Sequence, residues 1–151
     1  LGDLIPLDTE RGYNTTLPAG SFDLRRQLVF GGHGFVVTPL SSGVRVGGAV
    51  ELGGLKLPPN FARADAMLKK AAILMPGLKT SGGRQWMGFR PSLPDSLPAI
   101  GRSRPSPHII YAFGHGHLGL TQSAATGKLV AELITGATPS LDLTPFSPQR
   151  F

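Results

Sequence analysis

Ile109-Ile-Tyr-Ala-Phe-Gly114-His-Gly-His-Leu-Gly119-Leu-Thr-Gln122 is the stretch that decides the fold. An apolar run, a glycine-rich turn and a helical pattern follow one another without a spacer. Residues 109–113, bounded by Pro107, predict a strand buried on both faces, as in a parallel sheet. Beyond the turn, Ala125, Leu129 and Leu133 form one row at i+4, and Thr126, Val130 and Ile134 the adjacent one. They predict a helix over about 122–135, with Thr121 as its N-cap and Gly136 in the stop position. A helix start offers unpaired N–H groups and a partial positive charge. No Asp or Glu lies between Gly114 and Lys128, so an electron-rich ligand is favoured there.

Read literally, Gly114, Gly116 and Gly119 spell the Gly-x-Gly-x-x-Gly dinucleotide fingerprint. That fingerprint needs a second parallel strand with an acid at its end. Here Glu132 falls within the helix, and Asp142 comes nine residues before the last position, so the remaining strands have no room. A metal reading of His115 and His117, with His33 and His108, finds no acid nearby in sequence. Local hydrogen bonding and the lining of a cofactor or substrate pocket both stay open for these histidines. No Gly-x-Ser-x-Gly elbow and no cysteine nucleophile is present, and no residue is assigned a catalytic role. Glu51 and Asp95 suggest no carboxylate pair for hydrolysis.

Working outward, residues 11–17, 28–30, 35–40 and 44–52 read as strands of an antiparallel meander, with Gly31-Gly-His-Gly34 as a hairpin turn. In the last strand Val44, Val46, Gly48 and Val50 alternate with Arg45, Gly47, Ala49 and Glu51, which predicts one buried face. Gly47-Gly48 marks a bulge or a close approach. Phe61, Ala64, Met67, Leu68, Ala71 and Leu74-Met75 have helical spacing, capped by Asn60 and stopped by Pro76-Gly77. Residues 80–89 predict another strand, and the three prolines in residues 90–98 predict a loop. The fold class is therefore α+β: an antiparallel sheet with one helix, then a strand–loop–helix, divided as 1–85 and 86–151.

Composition removes several classes. The 151 residues suffice for a domain with a core, and 40% hydrophobic content is not that of a disordered tail. No apolar run reaches the roughly 18 residues of a membrane span. The absence of cysteine excludes disulfide and thiolate-metal scaffolds and fits a reducing compartment. The net charge of +6 is dispersed, with Arg25-Arg26 and Lys69-Lys70 the only adjacent basic pairs. That argues against a nucleic-acid partner. The start at Leu1, without Met or a signal-peptide pattern, reads as a trimmed piece, and residues 145–151 read as a surface tail.

Two stretches carry a family resemblance: Gly88-Phe-Arg-Pro-Ser-Leu-Pro-Asp-Ser-Leu-Pro-Ala-Ile-Gly101 and Tyr111-Ala-Phe-Gly-His-Gly-His-Leu-Gly-Leu-Thr-Gln-Ser-Ala-Ala-Thr-Gly127. Together they resemble the C-terminal half of D-amino-acid dehydrogenases, within the wider group of glycine oxidase, sarcosine oxidase and D-amino-acid oxidase. The likeness is strongest over residues 86–136. It is weaker over 1–85, where Arg11-Gly-Tyr13 and the meander resemble the substrate domain. The resemblance implies FAD as cofactor of the full-length protein, its ring wrapped by Gly114, His115, Gly116, His117, Leu118, Gly119, Leu120 and Thr121. It implies Arg90 as the anchor of the substrate carboxylate, with His117 and Tyr13 as further substrate contacts. It also implies hydride transfer from a D-amino acid to flavin N5, a 2-oxo acid product and a quinone or similar electron acceptor. A cytoplasmic protein, or one peripheral on the inner face of the bacterial plasma membrane, is expected, and a homo-oligomer stays open. The family's N-terminal FAD fingerprint is missing here, so this piece alone is expected to hold neither stable FAD nor activity. The competing reading is a non-catalytic binding domain, or a subunit of a related amine oxidase complex, that uses its sheet as an interaction surface.

Overall fold

The computed structural model describes residues 1–151 and divides them into two compact units. One comprises Arg11–Phe89, the other Leu1–Glu10 with Arg90–Phe151. Strands β1 (Asp8–Pro18) and β5 (Arg84–Ser92) contribute residues to both.

The Arg11–Phe89 unit is built on a five-stranded sheet in the order β2-β3-β4-β1-β5, with β2 at Leu28–Phe30, β3 at Phe35–Leu40 and β4 at Gly43–Glu51. β2, β3, β4 and β1 pair antiparallel in succession, which is the expected meander. Residues 31–34 form the expected hairpin turn, with Phe30 paired to Phe35 and residues 31–33 in a short helical turn. Helix α1 (Ala62–Leu74) buries Ala64, Met67 and Ala71 against Tyr13, Leu17, Phe35, Val37, Val44 and Val46. These apolar residues recur at helical spacing on one element and at period two on the others, so one layer of each closes the core.

Two local expectations are corrected. Asn60 does not cap α1 with its side chain: Phe61 holds the N-cap position, and Asn60 instead gives its N–H to the Tyr13 hydroxyl at 3.0 Å. In β4 the alternation holds only through Val46. Tyr13 pairs with Ala49 but Asn14 with Gly47, so Gly48 is the extra residue of a bulge. One inserted residue inverts the side-chain parity. Val50 is therefore exposed, while Glu51 turns in to meet Tyr13 and Arg11.

The Arg11 side chain is wholly buried. Its Nε donates to Gly54 O at 2.7 Å, Nη2 to Leu57 O at 2.7 Å and Nη1 to Pro58 O at 3.1 Å. Nη1 lies 3.6 Å from Glu51 Oε2, and the guanidinium sits 5.6 Å from the centre of the Phe89 ring. One cation thus holds the 54–58 loop through its carbonyls. Glu51 is kept below the usual carboxylate range by the Tyr13 hydroxyl, with help from Arg63 and Arg11 and against desolvation.

In the second unit β6 (Ala99–Arg102) pairs antiparallel with β7 (Ile110–Phe113), and α2 (Gly119–Thr135) packs on both. Ala99, Ile100, Tyr111 and Leu129 are buried there. The expected double-sided parallel strand is corrected: β7 belongs to a two-stranded antiparallel ribbon, and Ala112 is exposed. The loop expected over 90–98 is shorter, because β5 continues through Arg90, Pro91 and Ser92. Proline is tolerated at a strand end, where its missing N–H breaks no ladder. The closing residues are also anchored, not a loose tail. Arg150 binds both Asp95 oxygens, at 2.6 and 3.0 Å, and donates to Leu97 O and Ser147 O. Those bonds hold the Asp95 carboxyl below its ordinary value.

Candidate functional site

The site is assembled where β7 runs into α2. Gly114 and Gly116 have φ of +83° and +51°, in the left-handed region that disfavours any side chain. A Cβ on Gly114 would also stand 2.8 Å from the Leu93 side chain. Gly116 N–H donates to Pro91 O at 2.8 Å, Leu118 N–H to His115 O at 2.9 Å, and His115 forms an antiparallel bridge with Ser92. The end of β5 therefore braces the loop.

The expected Thr121 cap is corrected. The helix begins earlier, at Gly119, with Leu118 in the N-cap position and no side chain capping it. The N–H groups of Gly119, Leu120 and Thr121 thus have no intrahelical acceptor and no acidic neighbour in the first turn. Leu118 and Leu120 are exposed, and Gln122 Oε1 is buried without a partner. At the other end Gly136 closes the helix in a left-handed conformation, as expected.

A cavity of about 170 Å³ lies against the loop, lined by Gly114–Leu118 with Glu10, Ser92, Leu93 and Ser96. The two loop histidines diverge. His115 Nε2 is 2.9 Å from Thr126 Oγ1, whereas His117 Nε2 is 2.5 Å from Glu10 Oε2. No group of three or more His, Asp or Glu comes together anywhere in the chain. Burial lowers the His115 pKa, so its ring is neutral at pH 7. Below pH 6.5 the unfolded chain binds the proton more readily than the folded one. Stability is expected to be full above pH 6.5 and to fall as pH drops from there toward the depressed value. Thermal melts between pH 7.5 and 5 should show that slope, and His115→Asn should flatten it.

Arg90 is half-buried on β5. Desolvation lowers its pKa and the Glu10 charge raises it again. A guanidinium stays protonated throughout. Glu10 thus acts on both Arg90 and His117. It escaped the sequence reading because it precedes His117 by 107 positions and no short motif contains both. Tyr13 lies in the other unit, 1% exposed, donating its hydroxyl to Glu51 and accepting from Asn60 N–H. Donating to a substrate carboxylate would require that hydroxyl to leave Glu51, while it could go on accepting from Asn60 N–H.

The residues at the loop suit a flavin ring: a backbone shaped for close approach, an uncapped helix start, an unpartnered buried amide oxygen and exposed leucines. An electron-rich flat group with apolar and polar edges matches that donor set.

Comparison with known proteins gives the same direction. The family model described as FAD dependent oxidoreductase matches residues 1–133. The chain is 43% identical to a D-amino-acid oxidase of Bradyrhizobium diazoefficiens and 32% identical to a D-amino acid dehydrogenase of Xanthobacter autotrophicus. In each case all of this chain aligns, with 37% and 36% of the relative's length. Among solved structures, glycine oxidase from Geobacillus kaustophilus superposes with a TM-score of 0.83 at 26% identity, over 99% of this chain and 41% of that one. L-proline dehydrogenase from P. horikoshii, at 24% identity and a TM-score of 0.77 over 100% of this chain and 42% of that one, shares the fold. The chain spans little more than a third of the curated relatives it matches, and it belongs to the FAD dependent oxidoreductase family.

Proposed function

We propose that this chain is the C-terminal part of an FAD-dependent enzyme that oxidatively deaminates D-amino acids. The observation that carries the reading is the uncapped start of α2 behind the left-handed glycine loop, in a chain whose family match covers residues 1–133. Residues 114–121 would hold the ring, and residues 86–151 would form the flavin-contacting part, with 1–85 as the substrate wall. The positive end of α2 and the N–H groups of Gly119, Leu120 and Thr121 would favour the negative charge of reduced flavin near N1 and the C2 carbonyl. When bound, the flavin supplies the two-electron acceptor that takes hydride from the substrate Cα.

Arg90 would grip the substrate carboxylate through two parallel charge-assisted bonds, fixing which substrate face is presented. His117, with its ring held by Glu10, would add a second polar contact. Tyr13, also expected as a contact, would act at one remove by fixing Glu51. Water then hydrolyses the substrate imine to a 2-oxo acid and ammonia. The relative at 43% identity is named an oxidase and the one at 32% a dehydrogenase. We assign the dehydrogenase reading, with a quinone or similar acceptor, and a location in the cytoplasm or at the inner membrane face. No helix is long and apolar enough to cross a membrane.

Anaerobic mixing of the full-length flavoprotein with D- and L-alanine tests the reading. The D enantiomer should bleach the flavin and yield pyruvate, and the L enantiomer should do neither. Absence of bleaching by a panel of D-amino acids would contradict it. Oxygen uptake that outpaces quinone reduction would replace dehydrogenase by oxidase.

A further inference from the structure

Glu10 is an acid in a place that favours anions. It stands near the start of β1, between Thr9 and Arg11, whose side chains are both buried. Period two turns Glu10 away from those neighbours, and its side chain stays 27% exposed. It lines the cavity of about 170 Å³ against the glycine loop, together with His115, His117, Ser92 and Ser96. No Lys, no Arg and no second acid lines that cavity. Glu10, Arg90 and the loop all belong to one compact unit.

Two features define what this acid can do. First, it is held in place. His117 Nε2 lies 2.5 Å from Oε2, so the imidazole donates there and fixes the carboxylate in one orientation. That bond engages one oxygen and leaves the lone pairs of Oε1 to a further donor. Second, the Glu10 charge acts on Arg90. For an incoming carboxylate that is a handicap. The acid offsets part of the guanidinium's attraction and repels the anion directly. The handicap vanishes for a ligand that carries a positive charge beside its carboxylate.

We infer that Glu10 receives the α-ammonium group of the substrate, so that this acid selects amino acids over carboxylic and hydroxy acids of the same shape. The inference rests on the reading of Arg90 as the carboxylate anchor. An ammonium group brings three donors, and Glu10 Oε1 with the hydroxyls of Ser92 and Ser96 offers acceptors on one wall. A ligand without the amine leaves Glu10 covered and unpaired, and such a loss discriminates more strongly than a change of shape. His117 acts here as a positioning residue, because it orients the carboxylate that makes the contact.

Calorimetric titration of the full-length holoenzyme with 2-aminoisobutyrate and with isobutyrate tests the inference. The two ligands differ by the amine alone, and neither can give up a hydride from an amine-bearing Cα–H. Glu10→Gln should weaken 2-aminoisobutyrate about tenfold, the scale of one charge-assisted hydrogen bond. The same change should tighten isobutyrate several-fold, because a repelling charge is gone. Glu10→Asp keeps the charge and should leave isobutyrate as weak as it is with Glu10. Arg90→Ala should weaken both ligands. A loss of both ligands by one factor in Glu10→Gln would make Glu10 a prop for the loop, and no change in either would place the amine elsewhere; each result overturns the inference. Opposite shifts without turnover of any D-amino acid would contradict the deamination reading and uphold the role of Glu10.

Discussion

Arg11→Leu is expected to destabilise the chain by about 3–5 kcal/mol, the usual cost of removing one partner from a buried charged network. The guanidinium is fully buried and donates to three loop carbonyls while facing Glu51. Its loss leaves the Gly54, Leu57 and Pro58 carbonyls without their donor, while Glu51 keeps Tyr13 and Arg63; an acceptor buried without a partner costs about 1–3 kcal/mol before relaxation. The exposed 54–58 loop can recover some of those bonds from water, which keeps the figure below the sum. For a chain of this size the melting temperature should fall by about 10 °C. Arg11→Lys should recover only part, because an ammonium cannot reproduce the fork that reaches Gly54 and Leu57 together. Chemical denaturation of the three proteins measures it. A loss under about 1 kcal/mol for Arg11→Leu would mean that the 54–58 loop is held by something else.

Arg90→Ala in the full-length enzyme is expected to lower kcat/KM for amino acids by about a hundredfold or more, mainly through KM. Two charge-assisted hydrogen bonds at about 1.5–3 kcal/mol each set that scale, at 1.4 kcal/mol per factor of ten. The side chain is half-buried, and Glu10 is the nearby charge that opposes its desolvation. Steady-state kinetics on a D-amino acid and on the matching amine without a carboxylate separates the roles. The amine should lose little. If it loses as much as the amino acid, Arg90 orders the site and does not read the carboxylate.

The sequence predicts what depends on local periodicity. The meander, α1, the loop and α2 follow from alternation, helical spacing and glycine placement, and Gly136 ends α2 as its position implies. What it misses depends on register and on distant partners. The inversion after Gly48 needs the pairing of β4 with β1, which no window on β4 alone contains. β7 has the composition of a doubly buried strand, but its only neighbour is the four-residue β6, too short to announce itself between Pro98 and Ser103. Asn60 and Thr121 are good capping residues by type, yet the helices start two residues later and two residues earlier than those positions. Of the candidate site, the conformation of the glycine loop is legible because its residues are contiguous, and Arg90 is proposed from the motif in which it stands. Glu10 is not, because only the folded chain brings it to His117.

Residues 114–121 are proposed to contact the flavin ring, and hydrogen–deuterium exchange of that segment in the full-length apoprotein, with added FAD and with added ADP, reads the contact. FAD should slow exchange of the Gly119, Leu120 and Thr121 amides, and ADP, which lacks the ring, should leave them unchanged. Equal exchange with and without FAD, or equal protection by ADP, would contradict it.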